Sequence, residues 1–259
     1  MLFRSFTRVI APVRLEGTVL WASPSRNRLY LKRDESVLQV EIDLSSHDLN
    51  FSDEISIEGM ALIRDRGNRF IFGDSAVVDN DGIHGLIERS GRIYLTAGSH
   101  PIESSFFNRR GEFGFSVEYQ GPNLARQVIP ESALRHTVDG SSRSGVSYAV
   151  YLGDWNRLPN FALLTPTRTG SISNFDISVR PKDEEVAIRY TGSIQVAEEG
   201  FYTFFTSSDD GSALKVGSQP CSLKVIGRTA PPPARSIRLG RNLSDEDSSF
   251  WARVEGEVA

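Results

Sequence analysis

One stretch of the chain constrains the rest: an aromatic β-strand that ends in two adjacent aspartates and a glycine. Residues 201–207 are Phe-Tyr-Thr-Phe-Phe-Thr-Ser, and Ser208-Asp-Asp-Gly211 leads into a second short strand that ends at Val216. Adjacent carboxylates repel one another and lose hydration near a buried strand, so a cation, a capping hydrogen bond or open water must relieve them. The stretch therefore predicts a strand, a polar turn and a returning strand.

The residues alone leave two interpretations of Asp209 and Asp210. In the first, their side chains accept hydrogen bonds from nearby main-chain amides in a tight turn that Gly211 completes. In the second, both carboxylates bind Ca²⁺, which takes several oxygen ligands in a flexible geometry. Spacing by itself favours the turn.

Several motifs resemble a known family. The segments 200–204 (Gly-Phe-Tyr-Thr-Phe) and 208–214 (Ser-Asp-Asp-Gly-Ser-Ala-Leu) resemble the signature of the glycan-binding lectin domain of bacterial toxin protective antigens, fungal flocculins and some glycosidases. Residues 151–161 and 174–176 are similar to the opening strands of that family. Residues 77–85 and 93–102 resemble the half that normally comes second, so the two halves stand in reversed order.

The resemblance implies a lectin-type antiparallel β-sandwich with a calcium site. In the family, the Asp-Asp pair is joined by a cis peptide and holds a calcium ion that the sugar hydroxyls also contact. Asp209 and Asp210 are thereby expected to bind calcium and sugar, with Asn108 as a third ligand. Asn108-Arg-Arg-Gly111 lies where the family has a second, more glycine-rich calcium loop. Its two arginines leave a plain hairpin loop, or bidentate binding of an acidic sugar, as alternatives.

The segment Asp79-Asn-Asp-Gly82 supplies two further candidates. With Glu88 it partly matches a helix-loop-helix calcium loop, but Val77 stands at the first ligand position and cannot bind the ion, so we reject that motif. Two interpretations remain: a tight turn satisfied by its own side chains, or a polar rim of the sugar site that includes Asp81 and His84. A lone loop histidine is also commonly a hydrogen-bonded turn residue.

Alternating apolar residues predict five short strands between residues 12 and 72. Leu15, Gly17, Val19 and Trp21 share one face at period two, and the pattern continues through Ile55 to Phe72. Polar turns separate the strands, which suits a small barrel of the oligonucleotide/oligosaccharide-binding type. Trp21 and Tyr30 could stack on bases, but basic and acidic residues are equally frequent here, so we predict no nucleic-acid binding.

These patterns predict an array of alternating units. We assign 1–72 to the barrel, 73–136 to the C-terminal lectin half, 137–147 to a Gly/Ser-rich linker, 148–220 to the N-terminal lectin half and 221–259 to a truncated second barrel-like segment. Arg14-Leu-Glu-Gly-Thr-Val19 and Arg253-Val-Glu-Gly-Glu-Val258 share one pattern, which favours a tandem array and leads us to expect a fragment. The lectin halves pair either with each other or with halves outside this segment.

Composition narrows the function. The chain is 39% hydrophobic and 24% charged, with a net charge of −4 and no basic block that would follow a nucleic-acid backbone. Its single cysteine, Cys221, cannot form an internal disulfide. No run approaches the roughly 18 apolar residues of a membrane span, so we expect no membrane insertion.

No sequence motif supports catalysis. The chain has no nucleophile elbow, zinc-binding histidine pair or glycine-rich phosphate loop. A glycosidase would need a pair of carboxylates, which two of Asp154, Asp176 and Asp183 could supply. The simpler interpretation is that all three are solvated surface carboxylates. We therefore expect no enzymatic activity.

The sequence as a whole predicts an all-β chain, with a lectin-type antiparallel sandwich and a five-stranded barrel. The expected function is that of a non-catalytic, calcium-assisted carbohydrate-binding module of a secreted, cell-surface or periplasmic protein. Its expected partners are a glycan or polysaccharide and other repeats of the same chain. The alternative is a structural or partner-binding repeat in the extracytoplasmic part of a sensor or surface protein.

Overall fold

The computed structural model describes residues 8–228 and the backbone of 235–237 and 252–254. Within these residues the chain is β-structure, and its helical segments are single 3-10 turns at 24–26, 65–67, 131–133, 161–163 and 177–179. The predicted all-β class is confirmed. Most of the predicted second barrel-like segment, and most of the repeat at 253–258, lie outside the described residues.

The first unit is a closed barrel. Its five strands are β1 (Arg8–Ser23), β2 (Arg28–Arg33), β3 (Ser36–Glu41), β4 (Asp53–Arg64) and β5 (Arg69–Phe72). The long strand β1 pairs antiparallel with both β2 and β4, while β3 pairs with β2 and, in parallel, with β5. Because β5 also pairs with β4, the circuit closes in the order β1-β2-β3-β5-β4. The predicted five strands are present.

The alternating apolar side chains fill the interior of the barrel, with Trp21 as an exception. Leu15 and Val19 on β1 are buried as predicted, but Trp21 remains 44% exposed. The pairing of β1 with β2 shifts register between Val19 and Trp21, and such a bulge re-aims the side chains that follow it. Trp21 therefore leaves the core face and lies against Tyr30, with 5.8 Å between the ring centroids.

The second unit is a two-layer sandwich. Its strands are β6 (Val78–Asn80), β7 (Ile87–Leu95), β8 (Gly98–Asn108), β9 (Gly114–Gly121), β10 (Leu124–Val128), β11 (Leu134–Val138), β12 (Ser141–Ser144), β13 (Val146–Leu152), β14 (Arg168–Ile172), β15 (Val186–Val196), β16 (Gly200–Asp209) and β17 (Ser212–Val216). One layer has the order β10-β9-β16-β7. The other has the order β12-β11-β15-β8-β17-β6, and β13 and β14 extend it beside β15.

The two segments that were assigned to separate halves, 73–136 and 148–220, pair with each other. Strand β16 of the later half lies between β7 and β9 of the earlier half. Strand β8 of the earlier half lies between β15 and β17 of the later half. Each half supplies the neighbours that the other lacks, so residues 78–216 complete one sandwich within this chain.

The predicted linker is largely a β-hairpin. Strands β11 and β12 pair from Arg135 to Ser144, and Asp139 and Gly140 form the turn with φ angles of 50° and 75°. Asp-Gly with two positive φ angles is the favoured two-residue hairpin turn, because its twist matches that of the strands. That local turn signal outweighs the flexible composition of the segment.

Barrel and sandwich share a sheet and a core. Strand β1 pairs in parallel with β7, and Ile10 and Leu62 of the barrel belong to the same buried cluster as Ile93, Phe204 and Tyr190 of the sandwich. Each such side chain stabilises the fold by about 1.5–3 kcal/mol relative to an exposed one. The two units are therefore joined by apolar packing as well as by the chain.

Beyond the sandwich, the chain returns to the barrel. Strand β18 (Cys221–Arg228) pairs antiparallel with β4, with Cys221 opposite Gly59. This segment was predicted to begin a second barrel, and in the structure it extends the sheet of the first. Strands β19 (Arg235–Ile237) and β20 (Ala252–Val254) pair in parallel. Among the described residues, no helix has the length and hydropathy needed to cross a membrane.

Candidate functional site

The site is built on the turn between β16 and β17. Asp209 ends β16 opposite Gly114 of β9, and the peptide bond that joins it to Asp210 is cis. Asp210 is 3% exposed, whereas Asp209 is only partly buried. The central position of β16 thus brings two carboxylates to one end of the sandwich.

Buried hydroxyl groups support this turn from below. The Ser208 and Ser212 hydroxyl oxygens lie 2.8 Å apart, and Ser212 donates to Thr206 Oγ1 at 3.2 Å. Asn80 donates from Nδ2 to Ser208 Oγ at 2.9 Å, which ties β6 to the same group. Buried polar side chains that satisfy one another in this way rigidify their surroundings. The turn therefore has a defined position.

Asp210 joins the turn to two other loops. Its Oδ1 accepts a hydrogen bond from the main-chain N of His84 at 3.2 Å, and its Oδ2 accepts one from the main-chain N of Arg109 at 2.8 Å. The loop after β6 and the loop after β8 are thereby held together. The carboxylate accepts main-chain donors as the turn interpretation predicts, but those donors come from distant parts of the chain.

Asp209 has a different environment. Its carboxylate accepts no hydrogen bond within the described part of the chain. Burial raises the pKa of its carboxyl group above the ordinary value, and the charges of Asp210 and Glu112 raise it further, against a smaller opposing effect of His84. The ionised form is therefore disfavoured where it stands, and a cation at this position would relieve it.

Asn108 is fully buried at the end of β8. Its Nδ2 donates to the main-chain carbonyl oxygen of Asp183 at 2.7 Å, which fixes the orientation of the amide because only the nitrogen can donate. Its Oδ1 is buried and has no hydrogen-bond partner in the described structure. A buried acceptor left unsatisfied costs about 1–3 kcal/mol. This oxygen belongs to the residue next to Arg109, the donor to Asp210.

Asp209, Asp210 and Asn108 are the residues here that could hold a calcium ion. Asp209, Asp210 and Asn108 offer carboxylate and amide oxygens, and Ca²⁺ also accepts main-chain carbonyls and water as ligands. Asp210 keeps lone pairs beyond those that its two hydrogen bonds use. Across the described residues, no group of three or more His, Cys, Asp or Glu is placed to hold a metal. The candidate set contains only two carboxylates and depends on the Asn108 oxygen.

Asp81 and His84 help to hold the loop after β6. Asp81 Oδ1 accepts a hydrogen bond from the main-chain N of Leu158 at 2.8 Å. The His84 ring lies between two main-chain carbonyls, with Nε2 2.9 Å from Asn80 O and Nδ1 2.9 Å from Gly85 O. The main-chain N of His84 reaches Asp210. The side chains of Asp81 and His84, by contrast, bond to main-chain groups, as turn residues do.

The carboxylates considered for glycosidase chemistry have protein partners. Asp154 Oδ1 lies 2.5 Å from Arg109 Nε, and this hydrogen bond lowers the pKa of the Asp154 carboxyl group. Asp176 Oδ1 accepts from the main-chain N of Ser178 at 2.8 Å, and Asp183 Oδ1 accepts from Arg180 at 2.8 Å. Arg109 is thus engaged with Asp154, beside the candidate ion site.

An apolar rim around the carboxylates was not predicted from the sequence. Ile83, Leu86 and Phe113 are 53%, 67% and 42% exposed, and they lie on the two loops that Asp210 joins. Gly114 is paired with Asp209, and Leu86 packs close to it. A Cβ added to Gly114 would lie 3.1 Å from Leu86 Cδ1. Strand β9 begins only at Gly114, so Phe113 belongs to the loop with Glu112.

The arrangement places oxygen ligands beside exposed apolar side chains. Polar groups that fix orientation within apolar surroundings are typical of small-molecule sites. No protein-family model, curated protein or solved structure matched the chain when it was compared with known proteins.

Proposed function

We propose that this chain is a non-catalytic, calcium-assisted carbohydrate-binding module of a secreted, cell-surface or periplasmic multidomain protein. The observation that carries the proposal is the buried Asn108 Oδ1, which has no hydrogen-bond donor within the described residues. Asn108 directly precedes Arg109, whose main-chain N donates to Asp210. An amide oxygen without a donor and a carboxylate that is disfavoured in its ionised form are both groups that a cation would satisfy.

The protein side of such a site has separate tasks. Asp210 positions the loops by accepting hydrogen bonds from His84 and Arg109, so the ligands are held before any sugar arrives. A bound calcium ion would neutralise the carboxylates and offer open coordination positions to sugar hydroxyls. Leu86 and Phe113 present apolar surface that can cover the C–H face of a sugar ring.

Calcium is expected to stabilise the folded chain. A ligand that binds only the folded state adds about 2.7 kcal/mol at a hundredfold excess over its Kd, and about 2–4 °C of melting temperature accompanies each kcal/mol in chains of this size. Thermal unfolding in calcium and in chelator should therefore differ by about 5–10 °C. A melting temperature that ignores millimolar calcium would contradict the proposal.

Asp154→Asn is the matched control for that measurement. The change removes a nearby carboxylate that pairs with Arg109 and lies outside the candidate ligand set. Exposed ion pairs contribute about 0–1 kcal/mol, so calcium should stabilise this variant as much as the wild type. Loss of the calcium effect in Asp154→Asn would move the site away from Asn108 and Asp209.

A glycan array with calcium and with chelator tests sugar binding. We expect binding that chelator abolishes. If the protein binds calcium in calorimetry but binds no glycan on the array, the carbohydrate function is contradicted. That result would favour the alternative of a partner-binding repeat.

A further inference from the structure

A second polar cavity lies where the barrel meets the sandwich. Its volume is about 190 Å³, and its wall includes Arg8 at the start of β1, Arg64 at the end of β4 and Arg89 on β7. These arginines come from three strands of one continuous sheet. The cavity thus gathers three guanidinium groups from distant parts of the sequence.

The acidic groups of the cavity do not balance these charges. Arg8 donates from Nη1 to Asp79 Oδ2 at 3.1 Å and from Nε to Ala76 O at 2.9 Å. Asp81, the other carboxylate of the wall, accepts from the main-chain N of Leu158. Within residues 8–228, the side chains of Arg64 and Arg89 make no hydrogen bond and no ion pair. Three guanidinium groups face two carboxylates, so the wall carries one excess positive charge, and two of its arginines have no direct ion-pair partner among the described residues.

Arg8 lies partly buried between the charges of Asp79 and Arg64. Its side chain is only 16% exposed. Burial lowers the pKa of its guanidinium below the ordinary value; Asp79 opposes this effect, and the charge of Arg64 adds to it. Guanidinium groups bind carboxylate, sulfate and phosphate through paired N–H donors, with bonds stronger than those between neutral groups.

We propose that this cavity binds an oxyanion group, that is, a sulfate, a phosphate or a carboxylate, through Arg64 and Arg89 beside the Arg8–Asp79 pair. The group is either a free ion or a substituent of an acidic glycan. His84 connects the two sites, because it lines the cavity and its main-chain N donates to Asp210. The glycan-borne form rests on the proposed function, whereas the free-ion form does not.

The first test measures the binding of inorganic sulfate to the protein in the presence of a calcium chelator. Calorimetry compares the wild type, the double variant Arg64→Gln/Arg89→Gln and the control Arg33→Gln, with sodium chloride keeping the ionic strength constant because salt screens surface charge. Arg33 is an exposed barrel arginine outside the cavity wall. We expect the wild type and Arg33→Gln to bind sulfate equally and the double variant to bind at least about tenfold more weakly.

Melting temperatures without sulfate separate binding from folding. The two substitutions remove like charges and break no bond within the described structure, so the double variant should melt at or above the wild-type temperature in chloride. A folded double variant that binds sulfate as tightly as the wild type overturns the proposal. A wild type that does not distinguish sulfate from chloride also overturns it.

A second test identifies the source of the oxyanion. Neutral glycans and their sulfated or uronate-containing counterparts are compared on an array with calcium present. A glycan-borne group predicts that the double variant loses about tenfold affinity for the acidic members only. Sulfate binding in chelator without preference for acidic glycans assigns the cavity to a free ion. An array without any binding contradicts the carbohydrate function and leaves the sulfate result intact.

Discussion

Replacing Asp209 by Asn is expected to abolish calcium binding and to leave the calcium-free protein at least as stable as the wild type at pH 7. The variant removes a direct carboxylate ligand, so the calcium-dependent rise in melting temperature should disappear. In chelator, the same change removes a charge that burial, Asp210 and Glu112 all disfavour, and it breaks no hydrogen bond within the described residues. Thermal unfolding of both proteins in calcium and in chelator measures both effects.

The stability difference between Asp209→Asn and the wild type in chelator should depend on pH. The pKa of Asp209 is raised in the folded state, so the folded chain binds its proton more readily than the unfolded chain. The resulting stability is fully present below the unfolded value of about 3.9 and is lost as the pH rises through the folded pKa. The advantage of Asp209→Asn in chelator should therefore be largest near neutral pH and should vanish in acid. An advantage that grows in acid would contradict it.

Asp210→Asn is an informative comparison, because in chelator it should lower the stability of the protein, whereas Asp209→Asn should not. Both oxygens of Asp210 accept main-chain N–H donors, from His84 and Arg109. An amide keeps only one acceptor oxygen, so one buried donor loses its partner at a cost of about 1–3 kcal/mol. Calcium binding should be lost in both variants, but only Asp210→Asn should destabilise the calcium-free protein. Equal effects of the two changes would contradict the different environments of these residues.

Replacing Gly91 by Ala is expected to destabilise the chain by about 3 kcal/mol or more, since overpacking against main-chain atoms exceeds the usual 1–3 kcal/mol. A Cβ on Gly91 would lie 1.8 Å from the carbonyl oxygen of Val77. Gly91 is paired with Phe204 on one side and Arg8 on the other, so the backbone has little freedom to move. The melting temperature should fall by about 6–12 °C.

Gly85→Ala is the matched control in the same region. A Cβ at Gly85 meets no atom within 4 Å, and its φ angle lies outside the left-handed range. Its effect should remain within about 0.5 kcal/mol, as for most surface substitutions. If Gly91→Ala melts at the same temperature as the wild type and Gly85→Ala, the prediction is wrong. Strand β7 and the main chain at Val77 could then move apart to make room for the added Cβ.

Local patterns explain which parts of the fold were predictable. Alternation at period two depends only on neighbouring residues, so the strands of the barrel and the buried faces of Leu15 and Val19 could be inferred. The Asp209-Asp210-Gly211 turn is also local. Trp21 shows the limit, because the bulge that exposes it is a property of the pairing between two strands.

The candidate site was only partly predictable. Asp209 and Asp210 carry a sequence signal, and the resemblance pointed to Asn108. The sequence did not reveal that Asp210 joins two loops, or that the Asn108 amide oxygen is buried without a donor among the described residues. The rim residues Leu86 and Phe113 were missed because their role depends on where β7 and β9 begin.

The sequence by itself therefore determined the all-β class, the strands of the barrel and the acidic turn, because each follows from residues close together along the chain. The tertiary structure decided that the two halves of the sandwich pair with each other, that β18 returns to the barrel, and that Arg8, Arg64 and Arg89 line one cavity. Alternation tells which side chains point inward, but it does not tell which strand will be the neighbour. Strand order and register depend on contacts between residues far apart in sequence.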